Sequence, residues 1–568
     1  MNELQSASPS VSLHLDARIY KGRILSDRLM DRVSLPQVLE GLKSSKTMPA
    51  LTWYDGDKKS QHYSYGELLL QIKRLAHWFV VKHGVTSGDR VVVISKNSPE
   101  AFITHLSLMS IGAITVPVSN TESLRVLQVI IDKVRPQILV TGSGVAPELL
   151  NAKRIAVHSL PSLPLVAITD EDKFIWPNQY VSPDDPAVIL FTSGTTSTPK
   201  GACLSHYNLL VNAEGLTRTH QLTKLRVHMC VLPLFHANAF GFSMIASLYA
   251  GNHVVLCAGL PGSAIWSILD EQNVNIISLV PEMIRVLSAI SVSRKSLPEL
   301  QYAVSAAAPL SNAVAREFMA NTGIDIHQGY GLSECVNFAA TIPWSVSGTD
   351  LQRTIEGWKV PSIGPELFGC EINILRGDGT LASEEEEEGE IVISGHTTML
   401  GYWDEVAATQ MALEGGGLRT GDLGFFTTID GNRYFFVTGR KKEIIIRYGE
   451  NLSPQAIEAE LEALRGLCRF GITGFPNNLA GEEIGLYVCA QRTLANEEKV
   501  LKIVRACTTR YRPRVIMFGN EPIPATPPGK IKRSLLAQRF QIDRKAFFGD
   551  DPVLESAKAE NAQLVNCD

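Results

Sequence analysis

The chain has 568 residues, of which 45% are hydrophobic and 20% charged, with a formal net charge of −5. That length exceeds one ordinary domain, and that apolar content is enough to bury more than one core. The mixed charge argues against a surface built for nucleic acid or an anionic membrane.

Nine cysteines are scattered between Cys203 and Cys567 without a Cys-x-x-Cys pair. This pattern points to reduced thiols in a cytoplasmic compartment, not to a disulfide framework or a zinc site. The first residues lack the basic start and apolar core of a secretory signal.

Residues 1–35 are polar and aperiodic and read as a loosely docked lead-in. A large α/β domain is expected over 36–440. Its strand-like runs include Arg90–Ser95, Ala113–Val116, Gln137–Thr141, His253–Leu256 and Asn275–Leu279, separated by helix-length segments. Such alternation predicts parallel sheets. The apolar run Ala101–Val118 contains His105, Ser107, Ser110, Gly112 and Pro117. It predicts a buried helix, a glycine stop and a buried strand, not a bilayer span.

From about 345 to 438 the pattern changes to strands joined by tight turns at Gly377-Asp378-Gly379 and Asp430-Gly431-Asn432. A small antiparallel β-barrel is expected there, with Glu384–Glu388 as a solvated loop. A smaller, mobile α+β domain is expected over 441–568. Ser453-Pro454 starts a helix there, and Ile457, Leu461 and Leu464 give it one apolar face. The basic junction Gly439-Arg440-Lys441-Lys442 reads as the linker.

The most informative segment is Thr192-Ser193-Gly194-Thr195-Thr196-Ser197-Thr198-Pro199-Lys200-Gly201, which follows the strand-like run Ala187–Phe191. It offers short hydroxyl donors, exposed backbone N–H groups and one cation, the set a polyphosphate needs. Glycine lets the backbone approach closely. Pro199 before Lys200 and Gly201 after it exclude the common triphosphatase loop, in which Gly precedes the lysine and Ser or Thr follows. Taken alone, the segment is equally readable as a polar surface turn.

Further segments follow in order: Pro233-Leu234-Phe235-His236, Ser305–Leu310, Tyr330-Gly331-Leu332-Ser333-Glu334, Arg419-Thr420-Gly421-Asp422, Gly439–Glu443 and Pro524–Arg533. The ordered set, spanning about residues 50–540, resembles the adenylate-forming superfamily of acyl-CoA synthetases, nonribosomal adenylation domains and beetle luciferases. The resemblance implies a two-step reaction with ATP, Mg²⁺ and coenzyme A, or the phosphopantetheine arm of a carrier protein. A carboxylate attacks the α-phosphate to give an acyl-adenylate and pyrophosphate, and a thiol then displaces AMP. Because an anion must approach a polyanion, such catalysis rests on positioning and charge compensation.

The resemblance implies roles residue by residue. ATP would be held by Thr192, Ser193, Gly194, Thr195, Thr196 and Lys200 around its phosphates. Ala307, Gly329, Tyr330, Gly331 and Ser333 would surround the nucleotide, with Tyr330 offering a face to adenine. Asp422 would take the ribose hydroxyls, Arg440 the ribose or phosphate, and Glu334 the Mg²⁺. Lys530 is the implied catalytic cation. His236, Phe240, Ala306 and Gly331 would line the acyl pocket, Lys442 would be the hinge, and Gly449 would approach the thiol acceptor.

Several positions depart from the family pattern. Ser305-Ala306-Ala307-Ala308 stands where many members have two glycines, Glu443 replaces a common Asp, and Ala525 stands where lysine is frequent. The pocket residues are mostly small and apolar, which suggests an aliphatic or aryl acid. CoA and a carrier protein remain open as acceptors, since both present the same thiol arm. An amino-acid adenylating domain is disfavoured because no carboxylate lies within Leu234–Phe242. A noncatalytic nucleotide-binding relative would have no need of Lys530.

Overall fold

β-Branched runs and serine caps set most of the elements. The computed structural model describes residues 15–142, 156–160, 181–192, 199–289, 297–358, 360–477, 480–526, 529–540 and 553–556. In the helix Leu124–Val134, for example, Ser123 accepts a hydrogen bond from the Val126 N–H, while Leu127, Ile130, Ile131 and Val134 are buried. Their spacing forms one apolar stripe, which leaves Lys133 on another face.

Two large sheets carry the first part of the chain. In the first, six parallel strands run in the order Asp325–Tyr330, Tyr302–Ser305, Ile276–Leu279, Val227–Cys230, His253–Cys257 and Pro49–Asp55. Antiparallel strands Ala340–Thr341 and Lys58–Ser64 flank them. In the second, five parallel strands run Pro186–Thr192, Ile114–Val118, Arg90–Ile94, Ile138–Thr141 and Ala156–Ser159. Antiparallel strands Lys200–Ser205 and Gly401–Tyr402 extend it. Near-continuous Val and Ile runs are what strands covered on both faces require.

The helix Pro99–Ser110 is buried, Gly112 turns the chain at φ +74°, and the strand Ile114–Val118 follows. No helix among the described residues is long and apolar enough to cross a membrane.

A four-stranded antiparallel sheet comes next, in the order Cys370–Leu375, Gly389–Gly395, Leu418–Ile429 and Asn432–Arg440. Among the described residues no ladder joins its first and last strands, so the sheet is open where a barrel was expected. The acidic run makes several contacts from its exposed loop. Glu387 pairs with Arg376 at 2.8 Å, Glu385 accepts from Thr427 at 2.6 Å, and Glu388 accepts from Thr438. The run is the solvated loop that was expected, with most of its carboxylates exposed, and these contacts tie it to the sheet.

Beyond residue 444 a separate apolar cluster forms around Ile445, Ile457, Leu464, Ile472, Leu486 and Phe518. It packs helices Pro454–Glu460 and Leu494–Ala506 beside a six-stranded mixed sheet. The lead-in is also firmly held. Arg18 is fully buried and donates to the carbonyls of Met399 and Leu400, so from residue 15 onward the expected loose docking gives way to a buried guanidinium.

Candidate active site

Two adjacent parallel strands, Tyr302–Ser305 and Asp325–Tyr330, end at the same edge of their sheet. The carboxyl ends of such strands are where open α/β sheets hold ligands. A cleft opens there, lined by Ala307–Leu310, Gln328–Gly331, Asp422, Gly439, Arg440, Gln455 and Lys530 among others.

Asp422 is placed by its hairpin. Glu390 holds the preceding turn by pairing with Arg419 at 2.6 Å and accepting from the Gly421 N–H at 3.2 Å. Cross-strand register then sets Asp422 opposite Arg440. The Arg440 Nε donates to Asp422 Oδ1 at 2.6 Å, and the Tyr330 hydroxyl donates to Oδ2 at 2.8 Å. A carboxylate has about four acceptor positions, so two remain for a ligand's hydroxyls. Burial works against the Arg440 charge, yet Asp422 outweighs it and lifts Arg440 above its ordinary value. Burial, reinforced by the Asp422 charge, holds the Tyr330 phenol well above its usual range.

Lys530 reaches the cleft on a tight turn. The Thr526 N–H donates to the Lys530 carbonyl at 2.8 Å, and the Lys530 N–H donates to Thr526 Oγ1 at 3.1 Å. Gly529 adopts φ +91°, which a side chain would resist. Burial and the nearby Arg440 push the Lys530 ammonium down to about 8, with Asp422 opposing. The base of this turn is anchored by Arg533, which is nine-tenths buried. Arg533 pairs with Glu458 at 2.7 Å and with Glu443, just after Lys442, at 3.2 Å.

The phosphate segment lies partly outside the described residues: Ser193, Gly194, Thr195 and Thr196 are not covered. Its two ends are. Thr192 and Lys200 face each other across an antiparallel ladder, and Thr192 Oγ1 donates to the Lys200 carbonyl at 3.3 Å. Lys133 braces this base by donating to the Pro199 carbonyl at 3.1 Å while pairing with Glu405 at 2.6 Å. The Lys200 ammonium sits 5.1 Å from the Tyr402 ring centre, and the Tyr402 hydroxyl donates to Glu334 Oε1 at 2.7 Å. Lys200 and Glu334 are thus joined through one aromatic side chain.

Glu334 is largely buried, and Oε1 is engaged with Tyr402. No gathering of three or more His, Cys, Asp and Glu side chains able to hold a metal is found among the described residues. A Mg²⁺ carried by a triphosphate needs only one or two carboxylates, and Glu334 fits that demand. Ser333 opens the short turn Ser333–Cys335 beside it.

Ala307, Gly329, Tyr330, Gly331, Asp422, Arg440 and Lys530 therefore share one cleft. Of the expected acyl-pocket residues, His236, Phe240 and Ala306 are not among those lining it, and His236 is half-buried. Burial pushes the His236 imidazole down to about 4, so it is neutral at physiological pH. Ala306 and Phe240 are buried, and the Ala306 N–H donates to the Leu279 carbonyl at 3.3 Å. Lys442 is exposed in the turn Lys441–Glu443. Gly449, at φ +80°, stands at an exposed hairpin tip and is not among the residues lining the cleft.

Sequence reasoning missed Gln455, Tyr402, Lys133 and Arg533. Gln455 sits one position into the helix that Ser453-Pro454 announced, so that motif was the available signal. Arg533 closes the segment Pro524–Arg533, so its neighbourhood was flagged though its pairing was not; for Tyr402 and Lys133 the sequence holds no local signal, because their partners are far away along the chain.

The family pattern of AMP-binding enzymes matches residues 41–403. The chain belongs to that family. A feruloyl-CoA synthase of Amycolatopsis is 28% identical over 481 residues, covering 84% of this chain and 94% of the relative. A sulfoacetate–CoA ligase of Cupriavidus necator is 28% identical over 519 residues, covering 88% and 97%. Among solved structures, the O-succinylbenzoate coenzyme A synthetase of Bacillus subtilis in complex with ATP and magnesium ion aligns with a TM-score of 0.75. It is 22% identical, with 88% of this chain and 98% of that chain covered.

Proposed function

We propose that the chain is an AMP-forming acid–thiol ligase that activates a carboxylic acid with ATP and passes the acyl group to coenzyme A. The observation that carries this reading is the meeting of Lys530 with Asp422, Arg440 and Tyr330 around one cleft. A protein that only bound a nucleotide would gain nothing from a half-buried, destabilised ammonium delivered on a separate turn.

In this reading the two free acceptor positions of Asp422 take the ribose hydroxyls. Lys200 and the described ends of the phosphate segment lie toward the β- and γ-phosphates, and Glu334 binds the Mg²⁺ that accompanies ATP. Lys530 lies against the carboxylate and the α-phosphate, where negative charge accumulates as the two anions meet. A compact ammonium in a water-poor cleft stabilises that charge far better than it would in bulk water. Neutral His236 borders the acyl side without adding a charge. Residues 441–568 act as the moving unit about Lys442, and their rotation would bring the Gly449 tip toward the thiol.

The test is exchange of labelled pyrophosphate into ATP in the presence of a panel of carboxylic acids, followed by product analysis with CoA or with a carrier protein. Acid-dependent exchange and an acyl-CoA product are expected. Absence of exchange with every acid would refute the ligase reading, and a product found only on the carrier protein would reassign the acceptor.

A further inference from the structure

Residues 399–405 link the base of the phosphate segment to Glu334 through their backbone. The Met399 N–H donates to the Glu334 carbonyl, the Leu400 N–H to the Cys203 carbonyl and the Trp403 N–H to the Gly201 carbonyl, each at 2.8 Å. The same stretch is held from outside. The buried Arg18 guanidinium donates to the carbonyls of Met399 and Leu400, and Lys133 pairs with Glu405. A stretch fixed at so many points is a rigid mount for the side chain in its middle, Tyr402.

Register decides what Tyr402 meets. It pairs with Ala202 across an antiparallel ladder. Paired residues share a sheet face, as do residues two apart on one strand, so Lys200 stands on the face that carries Tyr402. The Lys200 ammonium accordingly lies 5.1 Å from the ring centre. The Tyr402 N–H donates to Thr409 Oγ1 at 2.9 Å, which holds the backbone in place. At the tip of the ring the hydroxyl donates to Glu334 Oε1 at 2.7 Å. Burial, reinforced by the Glu334 charge, holds this phenol well above its usual range, so it stays a donor at physiological pH.

One ring thus carries a cation at its body and a carboxylate at its tip. Among the described residues the two charges make no ion pair with each other. A direct Lys200–Glu334 pair would cancel the two charges that a metal–triphosphate complex needs. The hydrogen bond also fixes the rotation of the carboxylate. Oε1 is committed to the phenol, and Oε2 has no protein partner among the described residues. Holding one oxygen of a ligand aims the other, which is how outer groups tune a metal site.

We propose that Tyr402 is a positioning residue for metal-bound ATP. Its hydroxyl holds Glu334 so that Oε2 faces the magnesium ion, and its ring keeps Lys200 apart from Glu334 and open to the phosphates. The proposal rests on the ATP-binding part of the reading above and adds a residue to it. Tyr402 acts through Glu334 and Lys200, not through contact with the acid.

Titration calorimetry with ATP, in EDTA and in saturating Mg²⁺, tests this without turnover. The quantity read is the factor by which Mg²⁺ tightens ATP. Tyr402→Phe deletes one oxygen and keeps the ring. It should shrink that factor by about tenfold, at the low end of the usual loss when a metal ligand is deprived of its hydrogen-bond partner, and leave metal-free ATP binding close to wild type. Tyr402→Leu removes the ring as well and should also weaken metal-free ATP several-fold, since the Lys200 cation loses its aromatic face. In pyrophosphate exchange, Tyr402→Phe should raise the half-saturating Mg²⁺ concentration about tenfold. Thioester formation from supplied acyl-adenylate, which involves no triphosphate, should be unchanged. Glu334→Gln should lose the same Mg²⁺ factor, and adding Tyr402→Phe to it should cost little more.

An equal Mg²⁺ factor in wild type and Tyr402→Phe would overturn the proposal. Equal weakening of metal-free and metal-bound ATP in Tyr402→Phe would overturn it too, because the tyrosine would then be general scaffold. Should Tyr402→Phe fail to fold, Glu334→Gln carries the test, and an undiminished Mg²⁺ factor there refutes the aimed carboxylate. Failure of every acid to support exchange sinks the ligase reading alone, because the ATP titrations call for neither acid nor thiol and still decide the role of Tyr402.

Discussion

Raising the pH should switch off adenylation by taking the proton from Lys530. Its ammonium stands at about 8, against an ordinary 10.5. That difference corresponds to about 3 kcal/mol of penalty on the charged form. The cause is burial first and the Arg440 charge second, and both act while no anion faces the lysine. The sign follows directly: the free enzyme carries the charge below about pH 8 and loses it above. For adenylation measured by pyrophosphate exchange, kcat/KM should therefore fall about tenfold per pH unit beyond that point. Once ATP and acid are bound, their negative charge opposes the penalty. The kcat profile should then break at a higher pH than the kcat/KM profile.

Lys530→Ala should lower the exchange rate by about 10²–10³, the usual cost of losing one preorganised electrostatic partner. Thioester formation from supplied acyl-adenylate should stay within several-fold of wild type. A kcat/KM profile that is flat between pH 7 and 9.5, or one shared by wild type and Lys530→Ala, would refute the reasoning.

Three further perturbations probe the surroundings. Asp422→Ala removes the partner of both Arg440 and Tyr330 and should raise the KM for ATP by about tenfold or more, consistent with losing charged hydrogen bonds of roughly 1.5–3 kcal/mol each; an unchanged KM and rate would remove Asp422 from the site. Ala307 adopts φ +71°, a conformation costing a non-glycine residue about 1–2 kcal/mol, and Ala307→Gly gives back about 0.4–1 kcal/mol through the freer unfolded chain. Calorimetry should show a small rise in melting temperature, and a fall would mean that the Ala307 methyl packs usefully. Arg533→Met strands the buried carboxylates of Glu458 and Glu443 and should destabilise the segment beyond residue 444 by about 3–5 kcal/mol. Hydrogen exchange would register this as lost protection there, with partial recovery when Glu458→Gln is added.

The parallel strands were readable because their cause is local. Runs such as Arg90–Ser95 and Asn275–Leu279 are apolar on both faces, and that is the demand of a strand covered on both sides. The hairpin at Asp430-Gly431 was readable too, since both residues adopt positive φ as that turn requires. Asp422 and Arg440 were each flagged by motif, but their mutual pairing depends on hairpin register, which the motifs do not encode. The docking of Arg18 was invisible because its acceptors, the carbonyls of Met399 and Leu400, lie some 380 positions away. The segment Asn238–Ala246 forms a wide helical turn with every residue buried. An apolar stretch without a polar face gives no period to read.

Arg533 grips Glu443 and Glu458 at once, and it stands three positions beyond Lys530. Glu443, the helix Pro454–Glu460 and the lysine-bearing turn are therefore bolted into one stiff arm. If that arm swings at Lys442, little of the motion can be absorbed by bending along the way. A small twist at the fulcrum would withdraw the ammonium from the reaction almost completely, so the two half-reactions would alternate like the positions of a latch.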